Sequence, residues 1–218
     1  MRLKEFLTEA VQPSLQGKNY MLLLDLDDTL VTATGIFIYK KLPDGKEQVL
    51  TPVEFAKEKV TEKNKENYDL RDFRNADKVK QSIIKGKPII KNLKLMDQHH
   101  KAGWTIGILT ARGMEDVVYD ALANWLMVYD YREKKLKPVA DVLKRDFVAA
   151  ISDAKYEQVF KGMAHFDRKV AKIKELLKKF DYIKFLDDDM KNIKAVRDRI
   201  KSGELPKDRV QAVLASKE

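Results

Sequence analysis

A chain of 218 residues, 44% apolar and 35% charged, can bury one substantial core and is not of disordered composition. It has no cysteine, which excludes disulfides, thiolate metal sites and a cysteine nucleophile. No apolar run reaches the ~20 residues needed to cross a bilayer, and 43 basic against 34 acidic residues give a net charge of +9, a balance that attracts polyanions.

Residues 1–17 predict a docking helix, because Leu3, Phe6, Leu7, Ala10 and Val11 follow helical spacing and Pro13 ends the pattern. Glu5 and Glu9 interrupt what would be the apolar region of a signal peptide, so a cytoplasmic location is expected. Residues 18–218 form the main domain, opening with a buried strand at 20–25. A hairpin follows at 36–42 and 47–50 around Pro43-Asp44-Gly45-Lys46, and then a charged, mostly helical stretch at 52–87 interrupted near 68–74. A helix at 88–100 leads to a second buried strand, 105–109. Val117, Val118, Ala121, Leu122, Trp125 and Leu126 form the stripe of the next helix. Residues 130–145 read as basic and irregular. A strand at 147–151 precedes a helix carrying Val170, Ile173, Leu177 and Phe180 on one face, and a buried strand at 182–186 precedes one carrying Ile193, Val196 and Ile200. A last strand is expected at 210–214. Alternation of this kind predicts an α/β fold with a mainly parallel sheet and helices on both faces.

Three of these strands end in reactive side chains. The first runs into Asp25-Leu-Asp27-Asp28-Thr29, the second into Thr110-Ala-Arg112, and the 182–186 strand into Asp187-Asp188-Asp189 with Asn192 beyond. Strand alternation puts Asp25 and Asp27 on one side, where two acids without a basic neighbour need a cation or a shared proton. Magnesium is the simplest cation for such a set; Thr110 would offer a hydroxyl and Arg112 a fork for phosphate oxygens. Two other readings of the first segment stay open. Asp27, Asp28 and Thr29 could be turn and cap residues alone. A Walker B strand would need a Gly-rich phosphate loop, and Gly17-Lys18 and Gly86-Lys87 lack both the upstream glycine and the following Ser or Thr.

The chain resembles the haloacid dehalogenase-like (HAD) superfamily, most of whose members are magnesium-dependent phosphatases. Asp25, Asp27 and Thr29 match its first motif, D-x-D-x-T after an apolar strand, and Thr110 matches the second. Asp187, Asp188 and Asn192 match the fourth, D-D-x-x-x-N. The third is a single lysine on the preceding helix. Lys169 and Lys172 both qualify, and Lys169 is preferred for its spacing of nineteen residues to Asp188. The 35–90 region resembles small phage-encoded members, for which the compartment would be the host cytoplasm. Thr110-Ala-Arg112 is similar to nucleic-acid 3′-phosphatase relatives.

The resemblance implies a Rossmann-like three-layer sandwich in which 31–103 forms a β-hairpin flap and a small helical cap. It implies Asp25 as nucleophile, Asp27 as general acid and base in the manner of an unpaired carboxyl, and Thr110 and Lys169 as catalytic partners. It also implies magnesium held by the Asp25 carboxylate, the Asp27 main-chain carbonyl and Asp188, with Asp187 as a further ligand or a support behind them and Asn192 orienting one of these acids at the metal site. Thr29 and Arg112 would touch substrate.

Between Asp77 and Asp97 lie six lysines (78, 80, 85, 87, 91, 94) and no acid, and Arg132, Lys134, Lys135 and Lys137 form a second basic cluster. Lys85 and Lys87 are candidate substrate contacts, and the substrate class suggested is a nucleotide or a terminal phosphate of nucleic acid, ahead of a small phosphorylated metabolite. The alternative from another class is a HAD-like binding or assembly module with little turnover. No membrane is expected, and the sequence names no protein partner. His99 and His100 read as surface or capping residues, Trp104, Tyr119 and Trp125 as core or core-edge residues, and 57–66 as a solvated helical face.

Overall fold

Five consecutive buried residues make the first strand, β1 (Tyr20–Leu24), and everything else is arranged around it. The computed structural model describes residues 18–55, 57–61, 63–130 and 135–216; the helix expected at 1–17, and Arg132 and Lys134 of the second basic cluster, lie outside them. After β1 come β2 (Val31–Thr32), β3 (Ile38–Lys41), β4 (Glu47–Leu50), α1 (Pro52–Phe55), β5 (Tyr68–Asp69), α2 (Ala76–Ile84) and β6 (Lys87–Pro88). The chain continues with α3 (Ile90–Lys101), β7 (Thr105–Thr110), α4 (Glu115–Trp125), β8 (Met127–Asp130), β9 (Lys135–Pro138) and β10 (Leu143–Ala150). It closes with α5 (His165–Leu176), β11 (Tyr182–Asp187), α6 (Met190–Lys201) and β12 (Val210–Leu214).

Five strands form one sheet in the order β10-β7-β1-β11-β12, and each adjacent pair is parallel. The strands before β11 are added on one side of β1, and β11 and β12 on the other. The direction of growth therefore reverses between β1 and β11, the place where parallel sheets open a crevice beyond their carboxyl ends. Tyr20, Leu22 and Leu24 face a layer containing Val79 and Ile83 of α2, Leu93 and Met96 of α3, and Val118 and Leu122 of α4. Met21 and Leu23 face Val170 and Ile173 of α5 and Ile193 and Val196 of α6. Alternation along one strand thus serves two helical layers, and each such leucine contributes roughly 1.5–3 kcal/mol by burial. Gly107 in β7 is required by proximity, since a Cβ there would sit 3.0 Å from Leu23 Cδ1 and 3.1 Å from the Phe147 carbonyl oxygen.

The segment between β1 and β7 builds a three-stranded antiparallel sheet, β4-β3-β5, over a small core of Ile38, Leu50 and Tyr68. Asp72 ties it to α2. Its carboxylate accepts from the Phe37 amide (3.1 Å), the Tyr39 hydroxyl (3.2 Å) and Lys78 Nζ (2.6 Å), and it is 2% exposed. Burial would raise this carboxyl, but Lys78, the Phe37 amide and Tyr39 outweigh burial and hold its pKa below the usual value. The stability it supplies is therefore present above the ordinary carboxylate range near pH 4 and is lost as pH falls through the lowered value. Asp72→Ala should cost this segment roughly 1–3 kcal/mol by stranding its donors. Amide exchange at Phe37 should accelerate while β1 and β11 amides keep their protection; uniform acceleration would show that the segment has no separate stability.

Three expectations are corrected. Among the described residues of 52–87, α-helix is confined to Pro52–Phe55 and Ala76–Ile84, with single 3-10 turns at Lys65–Asn67 and Arg71–Arg74 between them. Asn64 instead binds the Thr61 amide (2.6 Å) and the Lys59 carbonyl (2.9 Å), side-chain bonds that compete with a helix, so the described residues of 57–66 are not one helical face. The described residues of 130–145 are not irregular, because β8 and β9 form an antiparallel pair and β10 begins at Leu143, with a register shift before Val148. His99 is buried, with Nδ1 2.9 Å from the Leu95 carbonyl oxygen and its ring edge-on to Trp104; its place at an apolar helix–strand junction overrides the charged surroundings that suggested a surface role.

Candidate functional site

Register between β1 and β11 sets Leu24 opposite Leu186, so Asp25 and Asp187 follow side by side at the crevice. The Asp25 amide donates to the Leu186 carbonyl (2.8 Å), extending the pairing one residue past the strand. The chain then turns sharply. The amides of Leu30 (2.8 Å) and Val31 (3.1 Å) both donate to the Leu26 carbonyl, and Asp28 takes a left-handed φ of 53°, which Asp tolerates better than most residues. Thr29, expected to touch substrate, is 0% exposed, and its Oγ1 accepts from the Asp188 amide at 3.1 Å. It braces the loop after β1 against the loop after β11. Asn92 of α3 supports the same brace, donating to the carbonyls of Thr29 (2.7 Å) and Ser216 (2.8 Å).

Lys169 crosses from α5 into the carboxylates. Its ammonium donates to Asp25 Oδ1 and to Asp187 Oδ2, each at 2.7 Å, and the residue is 1% exposed. Lys172 lies one turn away and pairs with Glu175 instead (2.9 Å). Asp187 also accepts from the Asp189 amide (2.8 Å) and from Asn192 Nδ2 on both oxygens (3.0 Å). Asn192 thus spends its amide on Asp187, whose carboxylate accepts from three donor groups. Asp25, Asp187 and Asp188 offer oxygens within 4.8 Å of one another, a set that could hold a metal ion. Burial pushes the Asp25 carboxyl up to about 8 against the pull of Lys169, and Asp187 and Asp27 add to the rise. Burial alone would lower Lys169, but Asp25 and Asp187 outweigh it and hold it above the usual lysine range. The Lys169 ammonium is shared between the two buried carboxylates Asp25 and Asp187. A hard divalent cation, with its preference for oxygen, would complete the balance, so the residues fit such an ion.

Arg112 is the main departure from expectation. Its Nε and Nη2 donate to the two oxygens of Asp27 at 2.8 and 2.7 Å. The guanidinium side chain is 3% exposed and the Asp27 side chain 40%, so the fork is filled by a carboxylate from within and is not open to phosphate. Asp27 is accordingly clamped, not unpaired. Thr110 ends β7 fully buried, with its Oγ accepting the Arg112 amide at 3.2 Å. Lys85 caps α2 and Lys87 pairs with Thr32 in β6; both are exposed, and neither lies within ion-pair distance of a site carboxylate among the described residues. His165 opens α5 one turn before Lys169, exposed at the edge. Asn92 and Ser82, which support the site from the chain between β1 and β7, carried no pattern that sequence reading could detect.

No helix among the described residues is long and apolar enough to cross a membrane. Comparison with protein-family models, curated proteins and solved structures gives no match.

Proposed function

We propose that this protein is a magnesium-dependent phosphomonoesterase that works through an aspartyl-phosphate on Asp25. The observation that carries the reading is the bridge from Lys169 to both Asp25 and Asp187, with Asp188 alongside and Asp27 two residues beyond the nucleophile. On this reading the layered sheet is a Rossmann-like three-layer sandwich, the β3–β4 hairpin is a flap, and the helical part of 31–103 is a small cap. The net charge of +9 supports a nucleotide or a nucleic-acid terminal phosphate as substrate.

In the first half-reaction an Asp25 oxygen attacks phosphorus, the ester P–O bond breaks, and Asp27 gives a proton to the departing alcohol oxygen. In the second, Asp27 takes a proton from water as the water oxygen attacks the same phosphorus. The bond to Asp25 breaks, inorganic phosphate leaves and both carboxyl groups return to their starting states. Lys169 and the Thr110 hydroxyl stabilise charge on the transferring oxygens. A carboxylate offers about four lone-pair sites; Arg112 occupies two of those on Asp27, which orients the group and leaves room for the proton. Asp25, Asp188 and the Asp27 main-chain carbonyl would hold magnesium, which when bound supplies neutralising charge to the phosphoryl oxygens.

The test is a panel of terminally phosphorylated oligonucleotides, nucleoside monophosphates and sugar phosphates, each with magnesium and with chelator. Hydrolysis of at least one class should require the cation and fall about 10- to 100-fold in Asp188→Asn, the loss typical when one group that secures a catalytic metal is removed. No hydrolysis of any ester, or hydrolysis indifferent to chelation, would contradict the proposal.

A further inference from the structure

Arg112 has a third contact that leads away from the carboxylates. Its Nη1 donates to Ser82 Oγ at 2.9 Å and, at longer range, to the Val79 carbonyl at 3.4 Å; both residues belong to α2. Ser82 is 1% exposed, and its hydroxyl donates in turn to the Val79 carbonyl at 2.7 Å. The serine therefore receives one proton and gives another, and its oxygen is fixed in direction.

The position of α2 is itself fixed relative to the strand that leaves the Asp27 loop. The Ser82 carbonyl accepts from the Thr34 amide at 3.2 Å. At Gly86, just beyond the helix, a Cβ would lie 2.5 Å from Val31 Cγ2 and 2.9 Å from the Thr32 carbonyl oxygen. Helix, serine, guanidinium and Asp27 form one continuous chain of contacts, none of which passes through Asp25. Removing the Ser82 hydroxyl would leave a buried Nη1 with only the long Val79 contact, and the planar fork would turn to find a better one.

We propose that Ser82 is a positioning residue that sets the Asp27 carboxylate through Arg112, so that α2 governs proton transfer to the leaving group. The kinetic part rests on the phosphatase reading; the contact does not. Leaving-group dependence separates positioning from general damage. An alkyl phosphate needs a proton on its departing oxygen, whereas 4-nitrophenyl phosphate scarcely does.

Ser82→Ala should lower kcat/KM, which reports only the steps through departure of the alcohol, about tenfold on an alkyl phosphate and less than about threefold on 4-nitrophenyl phosphate, a partial loss of a general-acid contribution. Ser82→Thr, which keeps the hydroxyl, should restore the alkyl rate. Gly86→Ala, which displaces α2, should reproduce the split between the two esters with a lower Tm. Independently of turnover, nitrogen-15 NMR should find the Arg112 Nε proton in slow exchange with water in the wild type and in Asp25→Asn, and in fast exchange in Ser82→Ala. Equal losses on both esters would reduce Ser82 to a structural residue and overturn the proposal, as would unchanged Nε exchange in Ser82→Ala. The expected exchange pattern in a wild type that hydrolyses no ester would uphold the contact and overturn the phosphatase reading, with the kinetic role.

Discussion

Asp25→Asn is expected to abolish turnover, by at least about 10⁴-fold, while leaving the fold intact, because an amide of nearly equal volume cannot act as the nucleophile. The same change should alter how stability depends on pH. Burial, with Asp187 and Asp27 beside it, pushes the Asp25 carboxyl up to about 8 against the pull of Lys169, far above its unfolded value. A carboxyl raised in the folded state contributes stability that is complete below the unfolded pKa and is lost as pH rises through the folded one. Metal-free wild type should therefore lose stability between about pH 4 and pH 8. Asp25→Asn should flatten this slope, and magnesium should restore the most stability to the wild type at the alkaline end. Urea midpoints at pH 5 and pH 8, with chelator and with magnesium, measure all three effects. A wild type equally stable at both pH values without metal would contradict the charge imbalance assigned to the site.

Lys169→Met should have the largest effect on folding. Among the described residues Lys169 is the one ammonium in contact with both Asp25 and Asp187, and both contacts are 2.7 Å. Removing one partner of a buried ion pair leaves uncompensated charge and typically costs about 3–5 kcal/mol. The remedy should follow the same logic: the variant should gain stability as pH falls and its carboxyls take up protons, or when a divalent cation is added. Lys169→Met combined with Asp187→Asn should recover a large part of the loss, since the second change removes one of the stranded charges. Activity should stay low in both, because the ammonium also stabilises transferring oxygens. A Lys169→Met protein with wild-type stability and no response to pH or cation would mean that the three groups are not coupled as their geometry requires.

How much of this arrangement could be read in advance depends on the range of the interaction. Tyr20–Leu24 announces itself, because a strand buried on both faces has no polar residue to offer until it reaches the crevice, and Asp25 stands where the run stops. Asp187 repeats the pattern at the end of Tyr182–Asp187. Spacing favours Lys169 over Lys172, and it is Lys169 that reaches the carboxylates while Lys172 pairs with Glu175. What failed was partner choice over long separations. Arg112 reads as a phosphate fork from its place after Thr110, yet Asp27, 85 residues away in sequence, fills it. Thr29 looks available beside two acids, but the return of β11 brings the Asp188 amide onto its hydroxyl. His99 follows charged neighbours and still packs on Trp104, because helix direction, not local composition, decided which side it faced. Ser82 and Asn92 are polar residues in a lysine-rich stretch, and only the folded path of the chain gives them a task.

The most direct measurement is chemical trapping of the phosphoryl group. Wild type is mixed with magnesium and a hydrolysable phosphate ester, quenched in acid, and reduced with borohydride, which converts an aspartyl-phosphate to homoserine. Peptide mass spectrometry should then find homoserine at position 25 and at no other aspartate, with none formed when magnesium is withheld or in Asp25→Asn. Hydrolysis of the ester without any trapped intermediate, or with homoserine at Asp27, Asp187 or Asp188 instead, would contradict the assignment of Asp25 as the nucleophile.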